Sequence, residues 1–219
     1  MNSFYLSSKV LISVTIAAIL VGPIFDFNFL YFFILLLVIL IFLQFRKTKT
    51  IQITESQESF YLKNRQVLSP VNGIVKEIEK IKIDENNCEY KIRIYIPFFM
   101  DMGLFLPASC EVLEYKMSKG ASLNRFSGKI EDTKKYSEID LDLKIYQDIQ
   151  IELRIIKCQI GLIPEIWLTG GDRGKIATNF GMIPFGGTVI MKFKGNWKLN
   201  IENGDQLLAG QSKIASHVK

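Results

Sequence analysis

One histidine is present in 219 residues, and it stands among the last three, His217. That scarcity speaks against a Ser-His-Asp relay, a histidine-rich metal site and any catalysis by a buried imidazole. Cysteine is nearly as rare. Cys88, Cys110 and Cys158 are odd in number, far apart and without a C-x-x-C pair, which disfavours a zinc knuckle or a disulfide framework and favours a reducing compartment. They read most simply as small apolar residues, and no metal is expected. A P-loop, a dinucleotide fingerprint and βαβ alternation are also missing, so a nucleotide enzyme is disfavoured.

What is abundant is apolar side chain. Mean hydropathy is +0.19 although 22% of the residues are charged, a mixture that requires segregation along the chain. Residues 10–25 are almost wholly apolar, and FLYFFILLLVILIFLQF follows at 29–45. A membrane-spanning helix needs ~20 apolar residues. Gly22-Pro23 and Asp26-Phe27-Asn28 punctuate the interval, so the pattern predicts a transmembrane α-hairpin within residues 1–49, the last of which form a basic linker, with one long tilted or re-entrant segment as the alternative. Lys9 precedes the first run, and Arg46, Lys47 and Lys49 follow the second, whereas the intervening loop carries Asp26 and no cation. The positive-inside rule then places both ends, and the domain that follows, on the cytoplasmic side of the inner membrane. No small-residue cleavage site marks the first run as a signal peptide. Net charge +5 suits nucleic acid or an anionic membrane surface, and the segregation decides for membrane phospholipid as partner, with no nucleic acid.

Residues 50–219 read as one all-β domain. Apolar residues alternate at Ile92, Ile94 and Ile96, at Ile139, Leu141, Leu143 and Ile145, and at Ile149, Ile151, Leu153 and Ile155. Period two places each set on one sheet face. Glycines fall mostly between these runs and are expected to mark turns. A helical period is faint and confined to the region of Glu55 to Lys63.

Several short motifs, collinear along the chain, carry a resemblance. Phe45-Arg46, SPVNGIV at 69–75, IYIPFFMDMG at 94–103, PASCEV at 107–112, RIIKCQIG at 154–161 and GMIPFGGTV at 181–189 together resemble the short, membrane-anchored phosphatidylserine decarboxylases. The last is the most specific, being similar to that family's G-M-I-R-F-G-S-[TR]-V. The resemblance covers nearly the whole chain and implies a barrel-sandwich-like β domain. NGDQLLAGQSKIA at 203–215 is also similar to half of a biotinyl or lipoyl carrier domain, which points to the same architecture. Lys116-Met117-Ser118-Lys119 lacks the flanking pattern of a modified carrier lysine.

In the family, the resemblance implies, a serine attacks the carbonyl before it, the chain is cut, and the serine becomes an N-terminal pyruvoyl group that serves as electron sink for decarboxylation. A histidine assisted by an aspartate activates that serine. Here the aspartate position is Asn72, the histidine position Gly103 and the serine, hence pyruvoyl, position Gly187. A glycine offers neither a nucleophile nor a carbon from which a pyruvoyl group could form, so none is expected. Two residual groups remain. Thr188 reads as the start of a strand or as a substitute nucleophile leaving a 2-oxobutanoyl end. Asp101 reads as a turn residue or as a survivor of the ancestral pocket. Glu165, Asp172 and Arg173 read as the lining of a polar mouth or, near Gly170-Gly171, more simply as solvated loop. Three functional classes stay open: a lipid-binding or regulatory relative without self-cleavage, which the chemistry favours; an active decarboxylase using non-standard residues; and an unrelated anchored β domain. A homo- or hetero-oligomer with a lipid-metabolism enzyme fits the first.

Overall fold

The computed structural model describes residues 51, 53–84, 87–97, 100–118, 120, 138–146, 149–157 and 163–217. The expected hairpin, Cys158 and Lys119 lie outside them, and among the described residues no helix is long and apolar enough to cross a membrane. Contacts gather Thr50–Lys219 into one unit.

This unit is mostly β-sheet with little helix. In chain order the elements are α1 (Glu55–Lys63), β1 (Gln66–Leu68), β2 (Gly73–Asp84), β3 (Asn87–Ile96), β4 (Gly103–Phe105), β5 (Cys110–Ser118), β6 (Glu138–Ile145), β7 (Ile149–Lys157), β8 (Glu165–Ile166), β9 (Arg173–Gly174), β10 (Asn179–Met182), β11 (Gly187–Gly195), β12 (Trp197–Leu199), β13 (Gln206–Leu207) and β14 (Lys213–His217). The helix begins where Thr54 N–H donates to Gln57 Oε1 at 3.2 Å, one half of a capping box. None of its residues is buried.

An eight-stranded antiparallel sheet in the order β13-β2-β3-β11-β7-β6-β5-β9 forms the frame, with three-stranded sheets β1-β14-β12 and β4-β10-β8 beside it. Period two explains the frame. Ile94, Val189, Ile155 and Ile139 stand in register across β3, β11, β7 and β6, and each is about 1% exposed or less. Such a side chain contributes roughly 1.5–3 kcal/mol on full burial, so four inward rows of this kind fix the register: a one-residue slip would turn them all to solvent. The alternate residues form an outer face of ion pairs. Arg93 meets Glu77 at 2.9 Å, Lys91 meets Glu79 at 3.0 Å, and Arg154 meets Asp140 at 2.7 Å and Glu152 at 3.1 Å.

Two glycines expected to mark turns stand within strands instead. A Cβ on Gly73 would lie 2.5 Å from Tyr95 O, and one on Gly187 would lie 2.5 Å from Ile156 O. These positions need a bare backbone because neighbouring strands approach closely.

Candidate functional site

The three positions singled out by motif converge at one end of the large sheet. Gly187 opens β11 between Ile96 of β3 and Lys157 of β7. On the far side of β3, Ile74 faces Tyr95, so Asn72 and Gly73 sit at that same end. Strands are spaced ~4.8 Å apart, which places the β2 and β11 termini about 10 Å from each other. Gly103 joins them through the small sheet. It pairs with Met182 of β10, Ile183 N–H donates to Met102 O at 2.9 Å, and Phe105 N–H donates to Pro70 O at 2.8 Å. The strand carrying Gly103 thus ties the turn before Gly187 to the turn before Asn72.

Three polar groups here already have structural work. Asn72 Oδ1 accepts from Ala209 N–H at 3.0 Å, holding the turn that leads to β14. Asp101 Oδ1 accepts from Gly103 N–H at 3.0 Å, an Asx turn that braces the strand start. Ser69, fully buried, donates from Oγ to Val71 O at 2.7 Å. Thr188 is the second residue of β11 rather than its first, and is 5% exposed, opposite Tyr95 and Ile156. Neither of these two neighbours is a base able to take its proton at neutral pH.

The turn into β11 is tight. Pro184 fixes its entry, Gly186 N–H closes on Ile183 O at 3.1 Å, and Phe185 takes φ +62°, a left-handed conformation that costs a bulky residue on the order of 1–3 kcal/mol. Gly186 follows at φ +77°, and a Cβ there would strike Ile96 O. A side chain at Gly187 meets two obstacles: Ile156 O and Ile183 Cδ1, each 2.5 Å from where its Cβ would be. At residue 187, where the resemblance would place a pyruvoyl group, the residues present offer neither a side-chain carbon nor room for one.

His217 belongs to β14 rather than to a free tail. It pairs with Trp197 in β12, and the two rings meet edge to face at 4.9 Å between centroids. Burial, with a smaller contribution from Arg65, holds its imidazole below the usual histidine value. The Trp197 indole adjoins Gly195, and Gly195 lies eight residues along β11 from Gly187. At ~3.3 Å per residue that separation is about 26 Å, so His217 does not serve the Gly187 end. Near His217 lies an open groove of about 500 Å³ lined by Glu89, Asp142, Glu152, Lys192 and Lys194 among others.

Asp172 conforms to the loop expectation, whereas Arg173 opens the two-residue strand β9 and pairs with Glu111 of β5. Asp172 Oδ2 accepts from Thr169 N–H and Oγ1 at 2.7 and 3.0 Å, and Arg173, 80% exposed, faces Glu111 at 3.3 Å. Glu165 also departs from it. From β8 it pairs with Met182 of β10, which stands between it and Gly103 of β4, and it is half-buried. Lys157, opposite Gly187, is the residue that sequence reasoning does not find, because a cross-strand partner is set by register and leaves no signal of its own. Among the described residues, no group of three His, Cys, Asp or Glu side chains could hold a metal ion.

No family model matches the chain, and no solved structure matches it. Among curated proteins, the phosphatidylserine decarboxylase proenzyme of Wolbachia pipientis wMel is 22% identical over 162 residues, covering 68% of this chain and 67% of the relative. That distant homologue links the chain to the phosphatidylserine decarboxylases.

Proposed function

We propose that the chain is a non-cleaving relative of the phosphatidylserine decarboxylases that serves phospholipid metabolism by binding lipid, as a regulatory or accessory subunit, rather than by decarboxylation. The observation that carries this reading is the closed space at Gly187, where Ile156 O and Ile183 Cδ1 stand 2.5 Å from any Cβ. Asn72 and Gly103 complete the loss: the first is engaged by Ala209 N–H, and the second has no side chain. In this reading the β domain is barrel-sandwich-like and sits on the cytoplasmic face of the membrane behind the N-terminal hairpin. Lys157, half-buried opposite Gly187, supplies an ammonium suited to a phosphodiester.

The test is chemical. Purified protein is examined for a hydroxylamine-reactive carbonyl, for amine trapping by cyanoborohydride and for CO₂ release from phosphatidylserine vesicles, alongside flotation with those vesicles. The reading expects flotation with no carbonyl and no CO₂. A carbonyl at the end of a fragment beginning with residue 188 would restore the decarboxylase reading through Thr188.

A further inference from the structure

β5 is an edge strand over most of its length. Cys110 and Glu111 pair with β9. Val112 then exchanges hydrogen bonds with the adjoining turn, its N–H to Asp172 O and its carbonyl from Gly171 N–H, both at 2.8 Å. From Leu113 to Ser118, β5 has β6 on one side and no strand on the other among the described residues. Edges of this kind invite pairing with another chain. Tyr115 and Met117 face Leu141 and Ile139, which puts them on the core side of the sheet. They are nevertheless 38% and 45% exposed, as Leu113 is at 43%. The apolar core thus runs out to an edge that no strand covers among the described residues.

The order of the residues says what covers it. Residues 113–117 read Leu-Glu-Tyr-Lys-Met, a sequence complementary to itself when reversed about Tyr115. Laid antiparallel on a second copy, Glu114 meets Lys116, Lys116 meets Glu114, Leu113 meets Met117, and Tyr115 meets its own equivalent. This reciprocity is what a two-fold interface demands. The charge already on the edge favours the same occupant. Glu114 stands opposite Asp142, and Asp142 stands opposite Glu152, like charges that destabilise a sheet when directly opposed. Burial and these two carboxylates hold the Asp142 carboxyl above its usual value. Lys116, whose side chain is 66% exposed, pairs with Glu114 of its own strand at 2.6 Å, and a second copy would set a further Lys116 across from each Glu114.

We propose that two copies of this chain pair through residues 113–117 of β5, antiparallel about a two-fold axis at Tyr115, so that their eight-stranded sheets become continuous. Tyr115 and Met117 of each copy then carry the core across the seam, and the Glu114–Lys116 pairs set the register.

The test is sedimentation equilibrium of the full chain in detergent. The wild type should have about twice the mass of one chain, 25.1 kDa. Lys116→Glu and Glu114→Lys each create like-charge pairs in both symmetric contacts and should weaken association by at least about tenfold. Mixing the two single variants should restore the dimer as a heterodimer, and the double variant Glu114→Lys/Lys116→Glu should restore the homodimer. Both positions are exposed, so thermal melting of each variant at monomer concentration verifies that the fold is kept. A monomeric wild type, single variants that dimerise as the wild type does, or failure of both restorations would each overturn the proposal.

Discussion

Adding one carbon at Gly187 tests the closed-site account at its narrowest point. In Gly187→Ala the new Cβ would lie 2.5 Å from Ile156 O and 2.5 Å from Ile183 Cδ1. The second contact can relax by side-chain rotation, but the first is main chain in the β7–β11 ladder, where Thr188 stands opposite Ile156. Relief there must spread the two strands. Overpacking of this kind costs about 1–3 kcal/mol, which lowers Tm by on the order of 2–10 °C in a domain of this size. Gly170→Ala is the control, because its Cβ would meet nothing nearer than Leu113 O at 3.6 Å, and its expected effect is neutral to slightly stabilising. Ile183→Val removes Cδ1 and should recover part of the loss at Gly187→Ala, a non-additivity expected of residues in contact. The assay is thermal melting of the three single variants and the Gly187→Ala/Ile183→Val pair by circular dichroism. Equal melting of Gly187→Ala and wild type would refute the argument, for residue 187 would then have room for a side chain and the family's serine could be accommodated.

Three further outcomes follow from individual groups. Burial is the largest cause that holds the Glu138 carboxyl above its ordinary value, so the folded state binds its proton more tightly than the unfolded state. Stability from this group is fully present below the unfolded value and is lost as pH rises through the higher folded one; Glu138→Gln should flatten the denaturation midpoint across that acidic window, and an unchanged slope would contradict it. Arg154 keeps Asp140 at 2.7 Å and Glu152 at 3.1 Å in that variant, so no cation is stranded. Burial pushes the Cys110 thiol up to about 12, and it should resist a thiol reagent in the native protein at pH 8 and react on unfolding; rapid native labelling mapped to Cys110 by peptide mass would show the site to be open. Asn72→Ala removes the acceptor for Ala209 N–H and should cost about 1 kcal/mol in urea denaturation, whereas Asn72→Asp keeps an acceptor and should cost less; the reverse order would deny Asn72 its structural role.

The long strands were legible because burial on one face imposes a period. Ile92, Ile94 and Ile96 predict β3, Ile139 to Ile145 predict β6, and Ile149 to Ile155 predict β7, and these strands form. The faint helix at Glu55–Lys63 forms as well, although it buries nothing. What period two does not encode is partnership. β3 and β11 are separated by 90 residues of chain between Ile96 and Gly187, yet those two residues face each other, and only the register reveals that Lys157 stands across from Gly187 on the other side. Glycine is ambiguous for a related reason, since a turn and a close strand approach both select a missing Cβ. Gly186, at φ +77°, has the first reason, and Gly73 and Gly187 have the second. Glu165 lay close to a Gly-Gly turn in sequence, and that proximity obscured a short strand held by Met182.

Intact-mass spectrometry of the purified, unmodified chain reaches the central claim most directly. With glycine at 187 and neither cross-strand partner of Thr188 a base, the account predicts one species at the full 25.1 kDa and no smaller products after denaturation. Two fragments divided between Gly187 and Thr188, the second carrying a 2-oxobutanoyl end, would contradict it.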